Sequence, residues 1–311
     1  MKIAILDDYQ DVALSTADWS AVEAKAEVTV FGDHLADADD LVARLEPFDV
    51  VCVMRERTPL PREIIERLPR LKLIASTGPG NAAIDYDAAA DHDVVVTNTG
   101  YDPTSTVELT WALIMASSRH LVDECASVRS GGWQTTVGRE LRGQVLGILG
   151  LGNIGSEIAR LGNVFGMDVV AWSQNLDADT AEKAGARLVS KDDLFSGSDT
   201  LTIHLKLGDR SRGLVGADQL GQMKPTSWLV NTSRGPIVDE AALVEALANR
   251  TIGGAALDVF DTEPLPVDHP LRTLPNALVT PHVGYVAQDL YRTFYRDVVA
   301  SITEWLASAA D

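Results

Sequence analysis

Short runs of aliphatic and β-branched residues recur along the chain, separated by stretches in which apolar positions return every three or four residues. In the first third these runs fall at residues 3–6, 28–31, 50–53, 73–75 and 94–97. Strand-length and helix-length patterns that alternate in this way predict right-handed βαβ units and a parallel sheet with helices on both faces. The alternation resumes at 169–172, 200–203, 228–231, 254–257 and 277–280, which predicts a second doubly wound sheet. Between the two sets, residues 104–130 are mostly apolar with no internal Gly or Pro. They predict one long helix that bridges the two domains and stops at Gly131-Gly132. Residues 288–309 read as a single amphipathic helix that returns to the N-terminal domain.

The expected fold class is therefore α/β, with two doubly wound parallel-sheet domains of Rossmann or flavodoxin type and a cleft between them. One domain is expected over 1–100 plus 286–311 and the other over 101–285. No internal repeat of 20 to 50 residues is visible.

The most informative motif is Gly150-x-Gly152-x-x-Gly155, which follows the apolar run Val145-Leu146-Gly147-Ile148-Leu149 and opens a helical pattern over 153–165. Strand, glycine turn and helix in that order are what dinucleotide binding requires. The first glycine allows the turn, the second lets backbone approach a pyrophosphate, and the third lets helix pack on strand. Asn153 and Ile154, at the start of the helix, join the three glycines as candidate coenzyme contacts.

Composition narrows the partners. With 311 residues and 46% hydrophobic content the chain has room for two cores. Its 26 basic and 45 acidic residues give a net charge of −19, which repels nucleic acid and anionic membrane surfaces. A small anion held by a local arginine or a helix N-terminus stays compatible with that field. The N-terminus turns acidic at Asp7-Asp8 and is not a signal peptide, and no apolar run approaches the length of a membrane span. The two cysteines, Cys52 and Cys125, are expected as buried small hydrophobes of a cytoplasmic protein. No metal is expected.

Three polar residues follow strand-like runs in the second domain: Arg234 in Asn231-Thr232-Ser233-Arg234-Gly235, Glu263 before Pro264, and His282 in Thr280-Pro281-His282. In open α/β sheets the carboxyl ends of strands line the ligand crevice, so the three are expected to converge there. The stretches 149–155 and 229–239, Gly254-Ala255-Ala256-Leu257-Asp258-Val259-Phe260, Glu263-Pro264, Thr280-Pro281-His282 and Gly132-Trp133 together resemble the D-isomer-specific 2-hydroxyacid dehydrogenases. The resemblance covers essentially the whole chain. It implies hydride transfer between NAD(P) and a small 2-keto or 2-hydroxy acid, in a homodimer.

Carried over by motif, Arg234 binds the substrate carboxylate and polarises the keto oxygen, His282 is the general acid and base, and Glu263 orients the ring and favours its charged form. Thr232, Asp258 and Gly284 fall among the coenzyme contacts, and Asp258 matches the residue that meets the nicotinamide carboxamide. His204 is expected to shape the coenzyme cleft without taking part in catalysis. Arg55, Gly78, Gly80 and Asn81 are the implied substrate contacts of the first domain. Similarity to the C-terminal-binding corepressors, which keep the same three polar residues, leaves a coenzyme-sensing interaction protein as the alternative. A formate-dehydrogenase-like member is disfavoured, because that relative has glutamine where Glu263 stands.

The chain departs from the family pattern in two places. Pro79 removes a backbone N–H from the loop Thr77-Gly78-Pro79-Gly80-Asn81, which leaves Gly78, Gly80, Asn81 and Arg55 to hold the carboxylate. Ser173, followed by Gln174, occupies the position where NAD-preferring relatives carry the acid that holds the ribose hydroxyls. Acceptance of NADP(H) is expected, with NAD(H) also possible.

Overall fold

Apolar runs, many of them fully buried, form parallel strands in a computed structural model that describes residues 1–308. The chain divides into two compact units, one made of Met1–Asp102 with the segment that starts at Val286, the other of Pro103–Tyr285. In the first unit β1 (Lys2–Ile5), β2 (Glu27–Val30), β3 (Val50–Val53), β4 (Leu73–Ser76) and β5 (Val95–Asn98) pair in the order β2-β1-β3-β4-β5. Every pairing is parallel. Helices α1 (Ala13–Thr16), α2 (Ser20–Glu23), α3 (Ala38–Leu45), α4 (Arg62–Ile65) and α5 (Tyr86–Asp91) make the connections. In α3 the Asp37 side chain accepts the N–H groups of Asp39 and Asp40, while Leu41, Val42 and Leu45 turn inward.

The second unit opens with α6 (Thr104–Ser118) and α7 (Leu121–Arg129). Its strands are β6 (Val145–Leu149), β7 (Asp168–Trp172), β8 (Arg187–Leu188), β9 (Thr200–Ile203), β10 (Trp228–Asn231), β11 (Gly254–Leu257) and β12 (Ala277–Val279). They pair in the order β12-β11-β10-β9-β6-β7-β8. Helices α8 (Asn153–Val164), α9 (Ala178–Lys183), α10 (Lys191–Gly197), α11 (Ala217–Gln222) and α12 (Glu240–Ala248) link them. Alternate residues of each strand serve opposite faces. Leu149, Leu229 and Ala255 pack with Phe195, Leu220 and Leu243, whereas Ile148, Val230 and Ala256 pack with Trp111, Ile114 and Ile158. All pairings are parallel, but the strand order runs outward in opposite senses from β6 and β9, and that switch point is where such a sheet leaves a crevice at its carboxyl edge.

The closing helix α13 (Gln288–Ser308) belongs to the first unit and buries Leu290, Tyr291, Phe294, Tyr295, Val298, Ile302 and Leu306. Its expected reach to Ala309, and the domain's expected end at 311, lie outside the described residues. No helix among the described residues is long and apolar enough to cross a membrane.

Three expectations need correction. The long helix over 104–130 is two helices, because Arg119 ends α6 and His120 turns left-handed at φ 49°. No glycine or proline is needed, since histidine visits that region more readily than most residues. Arg139 N–H then donates to Ser118 O at 2.7 Å, fixing the later chain against the break. Both helices lie within the second unit, so the segment is not a bridge. Finally, α7 buries none of its residues, and Cys125 on it is exposed rather than a core residue.

Candidate active site

The glycine turn shows three different spatial demands. Gly150 has φ +101°, and a Cβ there would stand 2.8 Å from the His204 carbonyl carbon. At Gly155 a Cβ would meet Gly150 O at 2.2 Å, so close packing of α8 on β6 demands glycine. Gly152 is different: its backbone is extended, and a Cβ would meet nothing within 4 Å. The open space at Gly152 is what an approaching ligand needs, and no side chain caps the first N–H groups of α8. The turn thus fits the pyrophosphate of a dinucleotide, with Asn153 and Ile154 in the first helical turn. Burial pushes the neighbouring His204 imidazole down to about 3, so it stands neutral, with Nε2 2.9 Å from Thr202 Oγ1.

Past β10, the buried Asn231 ties its own turn. Its Oδ1 accepts Ser233 N–H at 3.0 Å and its Nδ2 donates to Arg234 O at 3.0 Å. Ser233 Oγ donates to Leu205 O. Half-buried Arg234 donates from Nη1 to Ser233 O at 2.8 Å. Gly235 sits so close to the loop after β11 that a Cβ would meet the Phe260 carbonyl carbon at 2.1 Å. This contact brings the Arg234 turn against the loop that carries Glu263.

Beyond β11 and β12 the geometry tightens. Phe260 N–H donates to Glu263 Oε1 at 2.9 Å, and Glu263 Oε2 lies 2.5 Å from His282 Nδ1. His282 has φ +52° and sets its ring edge-on against Tyr285, with centroids 5.3 Å apart. Asp258, fully buried, accepts from Thr280 Oγ1 at 2.6 Å, Val283 N–H at 2.9 Å and Gly284 N–H at 2.7 Å. Burial pushes its carboxyl upward, against the opposing pull of Thr280, Val283, His282 and Gly284. Asp258 therefore ties the Thr280 hydroxyl before the catalytic candidate and two backbone N–H groups after it, and both of its oxygens are occupied.

In the first unit the Arg55 guanidinium lies over Gly78, where a Cβ would fall 1.6 Å from Nη1. It also lies 5.3 Å from the Tyr101 ring centroid. Two of the expected carboxylate donors are engaged internally. Gly78 N–H donates to Thr99 Oγ1 at 2.7 Å, and Asn81 Nδ2 donates to Arg55 O at 2.6 Å and Ser76 Oγ at 3.2 Å. Asn81 is a brace for the loop. Gly80 faces open space.

A family model for the "D-isomer specific 2-hydroxyacid dehydrogenase, NAD binding domain" matches residues 111–284, a span that includes the glycine turn, Arg234, Glu263 and His282. The chain is 41% identical to a glyoxylate reductase of Aeropyrum pernix over 237 residues, 73% of this chain and 71% of that protein. It belongs to the D-isomer-specific 2-hydroxyacid dehydrogenase family. A D-3-phosphoglycerate dehydrogenase of Bacillus subtilis is 38% identical over 260 residues, 83% of this chain and 49% of the relative. The chain thus spans about half the length of that relative. A crystal structure of a phosphoglycerate oxidoreductase from Vibrio cholerae superposes with TM-score 0.93 at 38% identity, covering 99% of both chains. These relatives carry the names of reductases and dehydrogenases, so the corepressor-like alternative is not favoured.

Within this dehydrogenase family member, Thr232, Asp258 and Gly284 fall at the carboxyl ends of β10, β11 and β12, and Ser173 and Gln174 follow β7. Two residues escaped the sequence reading. Thr106 Oγ1 donates to Gly284 O at 3.2 Å, and Thr110 Oγ1 lies 2.8 Å from Thr232 Oγ1. Their signal was present as two threonines four apart in an otherwise apolar helix, a spacing that puts both on one face.

Proposed function

We propose that the protein is an NAD(P)-dependent oxidoreductase that interconverts small 2-keto acids and D-2-hydroxy acids, running mainly as a reductase. The observation that carries this reading is the 2.5 Å contact between Glu263 and His282 in the unit that bears the glycine turn. A carboxylate on Nδ1 fixes the ring, which leaves Nε2 to give a proton to a developing alkoxide. The Arg234 guanidinium offers paired donors to the substrate carboxylate and polarises the keto oxygen. When bound, the nicotinamide supplies the hydride in reduction and accepts it in oxidation.

Arg55 and Gly80 are the proposed substrate contacts of the first unit, since Gly78 and Asn81 already spend their donors there. Ser173 offers a hydrogen bond to a ribose hydroxyl but no repulsion toward a 2′-phosphate, which supports use of NADPH beside NADH. The exposed Leu121, Val122 and Val128 of α7, with exposed Trp133 and Val137 beyond, support a homodimer in which a second copy covers them. Glyoxylate and phosphoglycerate in the relatives' names point to short 2-keto acids as substrates.

A reductase screen over glyoxylate, hydroxypyruvate, pyruvate and bulkier 2-keto acids with both coenzymes tests the assignment. Turnover of at least one short acid is expected. No turnover of any of them, by protein that binds coenzyme, would sink it.

A further inference from the structure

We propose that Lys206 supplies the cation through which this coenzyme site holds a ribose 2′-phosphate. The inference rests on the coenzyme reading above and names the group that would make NADP(H) recognition more than tolerance. The loop after β7 offers no positive charge, since Ser173-Gln174-Asn175 is neutral. The next acid, Asp177, is held below the usual carboxylate range by the Thr180 backbone N–H that it caps, and so stays anionic. With a net charge of −19 on the chain, a phosphate needs a cation from another strand end of the same sheet.

Position selects Lys206. Gly150 N–H donates to Trp172 O at 2.9 Å and His204 N–H donates to Leu149 O at 2.8 Å, so the ends of β7, β6 and β9 stand in line. Adjacent strands lie about 4.8 Å apart. The residues just before Lys206 pack on the fingerprint itself: a Cβ at Gly150 would stand 2.8 Å from the His204 carbonyl carbon and 2.9 Å from Leu205 Cδ2. Lys206 therefore leaves the sheet at its switch point, beside the turn that fits the pyrophosphate.

Its base is held while its head is available. Ser233 Oγ donates to Leu205 O, and Ser211 Oγ donates to Lys206 O at 2.7 Å. The side chain is exposed and takes part in no ion pair among the described residues. With β6 between them, the ends of β9 and β7 lie two strand spacings apart, about 9.6 Å, and a four-carbon stem of roughly 6 Å followed by a hydrogen bond of about 3 Å spans nearly all of it. The same loop carries two other cations: Arg210 stands seven residues past the end of β9, against three for Lys206, and Arg212 acts on Asp261, beyond β11 and away from the adenosine side of the turn.

The test is direct titration calorimetry on the full-length protein with 5′-AMP and adenosine 2′,5′-bisphosphate, which differ only in the 2′-phosphate. Wild type should bind the bisphosphate at least as tightly as AMP. Lys206→Met should weaken the bisphosphate about tenfold while AMP stays within about twofold. Lys206→Arg should keep the wild-type preference, and unchanged thermal melting of both variants would show that each is folded. Equal losses for both nucleotides would overturn the proposal by placing Lys206 on the 5′-phosphate, and no loss for either would overturn it outright. Wild-type protein that binds neither nucleotide would instead sink the coenzyme reading itself.

Discussion

Arg234 and the pair Glu263 and His282 make separable predictions. Loss of two charge-assisted hydrogen bonds, each worth about 1.5–3 kcal/mol, should lower kcat/KM for 2-keto acid reduction by about 10²–10⁴ in Arg234→Ala. Coenzyme affinity should survive. Arg234→Lys should recover little, because one ammonium cannot present the paired fork, and near-normal turnover in either variant would remove the assignment. Reduction needs a proton that His282 is proposed to give, so His282→Ala should lower kcat for reduction by about 10²–10⁴ while coenzyme still binds. Glu263 Oε2 lies 2.5 Å from His282 Nδ1 and holds the ring, so Glu263→Gln should also lower kcat, by less than His282→Ala does. Wild-type turnover in Glu263→Gln would separate the two residues mechanistically.

Elements rather than single side chains decide what the glycines do. Gly155→Ala places a methyl 2.2 Å from Gly150 O and should destabilise the second unit by about 1–3 kcal/mol, visible as a lower melting temperature. Gly152→Ala adds a methyl that meets no protein atom within 4 Å, so melting should hold while coenzyme affinity drops about tenfold or more. Equal effects in both variants would mean that the turn serves packing alone. The strands were legible because buried parallel strands are short apolar or β-branched runs, unbroken in Val50–Val53 and alternating with threonine in Thr200–Ile203. The edge strand Arg187–Leu188 has no such run and was missed. Arg234, Glu263 and His282 lie three, six and three residues past β10, β11 and β12, and the family-like motifs around them, rather than position alone, singled them out. The bonds that engage Gly78 and the threonine contacts of α6 were not legible, since their partners Thr99, Gly284 and Thr232 come from other elements of the fold. The break at His120 was hidden because no residue there forbids helix.

For the molecule as a whole, the charge of −19 makes self-repulsion a term that salt can screen. Exposed pairs such as Arg62 with Asp91 contribute only about 0–1 kcal/mol each, so screening them costs little. The melting temperature should therefore rise when NaCl is raised from about 10 mM to about 200 mM, as the Debye length shrinks below about 10 Å. A fall would show that ion pairs outweigh the repulsion. The return of α13 to the first unit has a temporal meaning during translation. The sheet that begins at Lys2 has to wait for Phe294, Tyr295, Val298 and Ile302 before its apolar face is covered. At about 5–20 residues per second, the roughly 200 residues after Asp102 keep it waiting for some 10–40 s. The unit encoded in the middle is complete before the one encoded first. A released chain truncated after Tyr285 should thus protect β6–β12 from protease while β1–β5 are still cleaved, with α13 acting as the latch.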